Sequence, residues 1–245
     1  MQETRVQDNR MQDNHVTIVT GAGSGIGAAT ARMLAERGHA VVLVGRGIDK
    51  LEETRASMRD PSRHLSMAGD VADSGLAHDI VDRTIEAFGR LDGLVLCAGS
   101  APRASIDATT EEILEETFFT NAFGPAFMVT RAWPQFKKQR SGRVVFVSTL
   151  GAVDPFPGFF AYAASKSAVD SFARSIKAEG HAIGVKAFAV NPGCVETAML
   201  RRNFPTSVIP ASRALPPEAI AEIIVACVCG ERDAESGRSI LVASP

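Results

Sequence analysis

His15-Val16-Thr17-Ile18-Val19-Thr20-Gly21-Ala22-Gly23-Ser24-Gly25-Ile26-Gly27 is the stretch on which the fold turns. A short β-branched apolar run breaks into a glycine cluster, and a helical pattern follows at once. That order is strand, tight turn, helix. Glycines let the backbone approach a pyrophosphate, and a helix N-terminus offers unpaired N–H groups and the positive end of its dipole. Gly21, Gly25 and Gly27 follow a G-x-x-x-G-x-G rhythm, distinct from the G-x-G-x-x-G fingerprint even though Gly21 and Gly23 also begin a G-x-G.

Downstream, strands are expected near 15–20, 39–45, 64–69, 93–98, 143–148, 185–190 and 239–243, with helical patterns between them. Short apolar runs alternating with helices imply βαβ crossovers and a parallel sheet covered on both faces. The expected fold is therefore α/β: a Rossmann-like doubly wound parallel sheet of about seven strands. The 245 residues, 45% of them hydrophobic, suit one domain over residues 15–245. Met1 to Asn14 is almost wholly polar and contains the near-duplicate Gln7-Asp8-Asn9 and Gln12-Asp13-Asn14, so it is expected to be a disordered tail.

The second informative stretch is Tyr162-Ala163-Ala164-Ser165-Lys166, 13 residues after Thr149 in the Ser148-Thr149 pair that closes an apolar run. Four-residue spacing puts phenol and ammonium on one helix face, where a fixed positive charge can favour the phenolate and make tyrosine an acid/base group. Val169, Phe172 and Ile176 continue the apolar face of that helix, expected to begin near Gly158. Thr109-x-x-Glu112 reads as the capping box of the preceding helix, which carries Asn121 and which Gly124-Pro125 should kink or reshape.

With its glycine turn and Tyr-x-x-x-Lys, the chain resembles the short-chain dehydrogenase/reductase family, in its compact single-domain branch. The resemblance runs from about His15 to the C-terminus and includes, in order, Asp70-Val71, Cys97-Ala98-Gly99, Asn121, and Asn191-Pro192-Gly193 with Thr197. It implies hydride transfer between a nicotinamide and an alcohol/carbonyl pair of small or medium size. Tyr162 would give or take the proton, Lys166 would lower its pKa and hold the cofactor ribose, and Asn121 would position a water behind Lys166. Relatives carry a serine 13 residues before the tyrosine to hold the substrate oxygen. Here the count falls on Thr149, while Ser148, its strand neighbour, should face the other way.

For the cofactor, the resemblance implies Gly21, Ser24, Gly25, Ile26 and Gly27 at the phosphates, Asp70 and Val71 at the adenine, and Ala98 and Gly99 along the path. Pro192, Gly193, Val195 and Thr197 would enclose the carboxamide. Where an acidic residue at the end of the second strand would bind a ribose hydroxyl, this chain has Gly45-Arg46, and Arg46 can pair with a 2′-phosphate. NADP is the expected cofactor, with NAD the alternative. Leu96-Cys97 stands where relatives often have two asparagines that support the strand.

Residues 198–215 are expected to form a substrate lid, with Arg201-Arg202 available to an anionic group, and Phe156, Phe159 and Phe160 to surround the approach to Tyr162. Family precedent implies a homodimer or homotetramer. A net charge of −2 gives no electrostatic footprint for nucleic acid. No apolar run is long enough to span a membrane, the N-terminus is unlike a signal peptide, and Cys97, Cys194, Cys227 and Cys229 lack zinc spacing, so no metal is expected and a cytoplasmic location is. Two rival functions share the fold: a non-catalytic nucleotide-responsive regulator, and a hydride-using epimerase or dehydratase.

Overall fold

The computed structural model describes residues 15–245; the polar N-terminal tail expected over residues 1–14 lies outside them. Seven parallel strands form one sheet: β1 Val16–Thr20, β2 Ala40–Gly45, β3 Leu65–Ala68, β4 Gly93–Leu96, β5 Gly142–Val147, β6 Val185–Pro192 and β7 Ser239–Val242. Their order is β3-β2-β1-β4-β5-β6-β7. The order reverses between β1 and β4, so the loops leaving their carboxyl ends diverge and open a crevice there. Both informative stretches empty into it.

The two faces of the sheet are read off the strands at a period of two. Ile18, Val42, Val44, Leu94, Leu96 and Phe146 face one core cluster, packed with Ile80, Met128 and Phe136 from α3 (Ser74–Phe88) and α5 (Gly124–Gln139) and Val169 from α6 (Phe160–Gly180). Val19, Val41, Leu43, Val95 and Val145 face the other, under Leu34 of α1 (Gly25–Glu36) and Ile220 and Ile224 of α8 (Pro217–Val228). Every residue of β1 is buried. A strand apolar on both faces needs helices on both faces, which is the doubly wound arrangement. The remaining helices are α2 (Ile48–Ala56), α4 (Glu111–Phe118) and α7 (Ala198–Asn203).

Helix α4 begins one residue later than expected. Thr110, not Thr109, is its N-cap, its Oγ1 accepting from the Ile113 amide at 3.3 Å. Thr109 instead donates its hydroxyl back to the Ser105 carbonyl at 2.8 Å, closing the short turn Ile106–Ala108. Between α4 and α5 the chain opens into a π turn, Phe119–Phe123, as the Gly124-Pro125 breaker implied. A Cβ on Gly124 would lie 2.6 Å from the Val71 carbonyl oxygen, so this bend must come close to the loop that follows β3.

Below the sheet, opposite the crevice, His39 is buried with Nδ1 3.0 Å from Thr17 Oγ1 and its ring 5.5 Å from that of His15. Burial pushes its pKa down to about 4, and burial lowers His64 as well. The native state therefore holds His39 neutral, while the unfolded chain takes up a proton near pH 6.5. Stability is full above that pH and falls as pH drops toward 4, by about 2–3 kcal/mol from His39 at pH 4.5. Denaturant midpoints at pH 7.5 and 4.5 should show this loss, and His39→Leu should remove much of the difference.

Candidate active site

The glycine turn is built by backbone conformation. Gly21 and Gly25 adopt φ of 66° and 52°, a left-handed region that disfavours side chains. A Cβ on Gly27 would stand 2.3 Å from the Gly21 carbonyl oxygen, and the Ala22 amide donates to Val44 O at 3.1 Å, tying the loop to β2. Ser24 is the N-cap of α1 but its side chain makes no cap bond, leaving first-turn amides directed at the crevice. The loop thus presents bare backbone donors.

That loop forms one end of a cavity of about 1110 Å³ that runs to Tyr162 and on to Phe204. Ser24, Ile26, Arg46, Asp70, Val71, Ala98, Gly99, Pro192, Gly193, Val195 and Thr197 all line it. Arg46 is exposed just beyond β2 and has no ion-pair partner among the described residues. Lys50 on α2, which sequence reasoning passed over, lines the same end and lies against Gly23; Asp49 and Glu53 line it too. The helix-spaced set Arg46, Asp49, Lys50 and Glu53 was the available signal. Asp70 accepts from the Ala72 amide at 3.0 Å through Oδ1. Thr197 caps α7 by accepting from the Leu200 amide at 3.2 Å, and its methyl would meet a Cβ on Gly25 at 3.1 Å.

The missing asparagine support beside Cys97 has a substitute. Thr20 Oγ1, at the end of β1, accepts from the Ala98 amide at 3.0 Å. Cys97 itself is inert, because burial pushes its thiol up to about 12.

At the chemical end, Tyr162 and Lys166 do share a face of α6, but the ammonium does not sit on the phenol oxygen. Lys166 Nζ donates to the Val147 carbonyl at 2.7 Å and stands 6.0 Å from the Tyr162 ring centroid. Burial pushes Tyr162 up to about 12, opposed by a hydrogen bond with Thr149, and pushes Lys166 down to about 8. Burial is the larger influence on the phenol and the Thr149 hydrogen bond the smaller, opposing one, so the phenol keeps its proton at neutral pH.

Ser148 and Thr149 diverge as strand alternation requires. Ser148 Oγ donates to the Lys166 carbonyl at 3.3 Å and accepts from Asn191 Nδ2 at 3.2 Å, so its hydroxyl is spent on the scaffold. Thr149 Oγ1 accepts from the Gly151 amide at 3.2 Å and is the hydroxyl beside Tyr162. Asn121, fully buried on the π turn, is likewise spent on protein: Oδ1 accepts from the Ser100 amide at 2.8 Å, and Nδ2 donates to Ser100 O at 2.8 Å and Ser165 Oγ at 3.0 Å. Its side chain is a brace between the β4 loop and α6, with no donor left for a water.

Residues 198–215 rise from a pinned base. Val195 pairs with Leu215, the Leu215 amide donates to Cys194 O at 2.8 Å, and the Glu196 amide to Leu215 O at 2.8 Å. Arg201 grips Glu196 with two nitrogens and donates to Ile209 O at 2.6 Å, so it is an internal strut, whereas Arg202 is exposed and lines the cavity. Asn203 Nδ2 donates to Ala101 O at 3.0 Å, and Phe204 lies 5.8 Å from Phe159 with the Arg103 guanidinium 5.4 Å over its ring. The segment is laid across the cleft in this structure. Phe156 and Phe159 line the cavity but Phe160 does not: the left-handed Gly158 delays α6 to Phe160, whose side chain faces outward, 49% exposed.

Among the described residues no helix is long and apolar enough to cross a membrane, no three His, Cys, Asp or Glu side chains are arranged to hold a metal, and the four cysteines are free. The seven-stranded parallel sheet with its switch point, the glycine loop and the Tyr162/Lys166 face together define a Rossmann-like α/β protein with one continuous crevice at that switch point. The chain belongs to the short chain dehydrogenase family, whose profile matches residues 15–207, and is an oxidoreductase of that family. It is 34% identical over 238 residues to an uncharacterized oxidoreductase of Thermotoga maritima, covering 92% of this chain and 94% of the relative. A second uncharacterized oxidoreductase, from Staphylococcus haemolyticus, is 33% identical over 87% of this chain and 90% of its own length. Among solved structures, an actinorhodin polyketide ketoreductase variant with NADPH superposes with a TM-score of 0.87 at 25% identity, covering 94% of this chain and 96% of that one.

Proposed function

We propose that this chain is an NADP(H)-dependent oxidoreductase acting on an alcohol/carbonyl pair, with Tyr162 as the proton-handling group. The observation that carries this reading is one continuous cavity with the glycine cradle at one end and Thr149, Tyr162 and Lys166 at the other. The residues fit a dinucleotide: the Gly21/Gly27 approach would be filled by any Cβ, and the uncapped start of α1 suits a pyrophosphate. Asp70 and Val71 would hold the adenine, and Pro192, Gly193, Val195 and Thr197 would enclose the carboxamide. When bound, the nicotinamide supplies or accepts the hydride.

The chain's own residues supply the rest. Tyr162, protonated at neutral pH, donates to the carbonyl oxygen during reduction; Thr149 Oγ1 steadies that oxygen; Lys166 holds the ribose; Asn121 braces the loop behind them. Phe156, Phe159, Met199 and Phe204 line the substrate end, while Glu116 is occupied by Ser100 Oγ at 2.6 Å. This lining favours a largely apolar carbonyl compound, with Arg202 at the cavity wall. Following NADPH absorbance over ketones, aldehydes, quinones, sugars and acyl thioesters tests the reading, which fails if nothing in the panel turns over.

NADP preference is supported by Gly45-Arg46 and by Lys50 beside it. A charge-assisted hydrogen bond is worth about 1.5–3 kcal/mol, so Arg46→Ala should weaken NADPH about 10–100-fold with little change for NADH. Equal affinity of the parent for both cofactors contradicts this preference. We further place the protein in the cytoplasm as a homodimer or homotetramer. The exposed row Phe119 and Phe123, 5.1 Å apart and continued by Phe127, supports pairing of copies through the α4–α5 edge.

A further inference from the structure

Asp170 is a buried carboxylate with no place in the reaction as described. It stands one turn beyond Lys166 on the same face of α6, 6% exposed. Oδ2 accepts from Asn191 Nδ2 at 2.8 Å and from Ser239 Oγ at 3.1 Å, while Oδ1 is buried without a partner. Burying a charge with an open lone pair is costly unless something nearby needs that charge.

Two groups do. Asn191 Nδ2 gives one hydrogen to Asp170 and has Ser148 Oγ at 3.2 Å and the Thr149 carbonyl at 3.1 Å to share the other, so the carboxylate fixes the strand end that presents Thr149. The second is Lys166, whose ammonium has only a neutral hydrogen-bond acceptor, the Val147 carbonyl. We propose that Asp170 is a positioning residue of the Tyr162/Lys166 site: through Asn191 it sets the Thr149 register, and one turn along α6 it supplies the counter-charge to the buried Lys166 ammonium.

The neighbours of Lys166 leave that role to Asp170. Just past β4 comes the Cys97 thiol, held neutral by burial; from the π turn, Asn121, whose Oδ1 meets the same side of Gly99 as Lys166 Nζ; from α6 itself, the protonated Tyr162. Burial lowers Lys166, and Cys97 and, after it, Asp170 oppose that; with the Cys97 thiol itself pushed up to about 12 by burial, Asp170 is the carboxylate in the set. Asn191 Oδ1 is buried and unpartnered beside it, so the network is organised around what Nδ2 donates to rather than around full satisfaction of the amide.

The inference uses the oxidoreductase reading for its rate readout only; a second readout is the pH dependence of NADPH binding followed by its fluorescence. Asp170→Asn keeps the shape and an acceptor for Asn191 but removes the charge. Losing an opposite charge at this range should move the alkaline limb of kcat/KM, and of NADPH binding, down by about one pH unit. The rate should be about half the parent's near pH 7 and about a tenth above pH 9. Asp170→Ser, smaller and free of any clash, should give the same displacement if the asparagine variant does not fold. A limb at the parent's pH in the folded variant, with or without a uniform loss of rate, overturns the proposal and leaves Asp170 a fastener of α6 to β6 and β7. A parent that binds NADPH but turns over no carbonyl sinks the proposed function, while the displacement in the binding profile still decides the role of Asp170.

Discussion

Tyr162→Phe should lose about 10²–10⁴-fold in kcat, the range typical of a positioned general acid or base, while its cofactor affinity and melting temperature stay near the parent's. The change removes one oxygen and leaves the ring, whose edge packs on Phe159 with centroids 6.0 Å apart. Lys166 keeps its bond to Val147 O, since that contact does not involve the phenol. Fold and ribose grip therefore survive and only the proton source is lost. Burial raises the Tyr162 pKa, so the phenol holds its proton across neutral pH. Stopped-flow hydride transfer with saturating NADPH separates this loss from any change in binding. Unchanged turnover in the phenylalanine variant removes Tyr162 from the chemistry.

The sheet was legible because each strand is a short apolar run and each begins within one residue of where the pattern put it. Period-two alternation works in this chain even though both faces are buried, since Ile18 and Val19 simply go to different cores. Helix starts were less legible. Thr109 and Thr110 are equally good caps locally, and the choice was made by Thr109 turning back to Ser105, a contact of a separate turn. Likewise the delay of α6 to Phe160 comes from Gly158, whose φ of 84° belongs to a loop bonded to Ala104, 54 residues earlier in the chain.

In the candidate site, residues that share a face by local spacing were legible in the sequence, and contacts to distant partners were not. Tyr162 and Lys166 are four apart on one helix, so their shared face follows from helix geometry. Where the ammonium points does not follow, because the competing acceptor, Val147 O, lies on a strand 19 residues away. Thr20 standing in for the asparagine support at Ala98, and Asp170 reaching Asn191 and Ser239, bridge 78, 21 and 69 residues respectively. Such contacts are set by the sheet order, which lays β1 beside β4 and β6 beside β7 within reach of α6. Charge balance had the same limit: Lys166 beside Tyr162 suggested an acidic phenol, but burial, which a sequence does not display, pushes the Tyr162 pKa up.

The substituted hydroxyl offers the sharpest test of register. Thr149→Val is nearly isosteric and lacks only the Oγ donor, so it should cost on the order of 10²–10³ in kcat if that donor stabilises charge developing on the substrate oxygen. Some of the loss will be local, because Thr149 Oγ1 also accepts from the Gly151 amide in the short turn Leu150–Ala152. Thr149→Ser separates the two: it keeps both bonds, removes a methyl group from the wall of the cleft and frees χ1, so activity should be retained and bulkier ketones admitted. Ser148→Ala should matter far less to catalysis, because its hydroxyl is bonded to the Lys166 carbonyl and to Asn191 rather than facing Tyr162. Its cost should appear as a modest stability loss, about 1 kcal/mol for a buried hydrogen bond. Steady-state rates for the three variants on one ketone, with melting curves alongside, decide the matter. If Ser148→Ala is the inactive enzyme and Thr149→Val is not, the substrate oxygen meets the other face of the strand, and the pocket geometry that places Thr149 beside the phenol does not describe the working site.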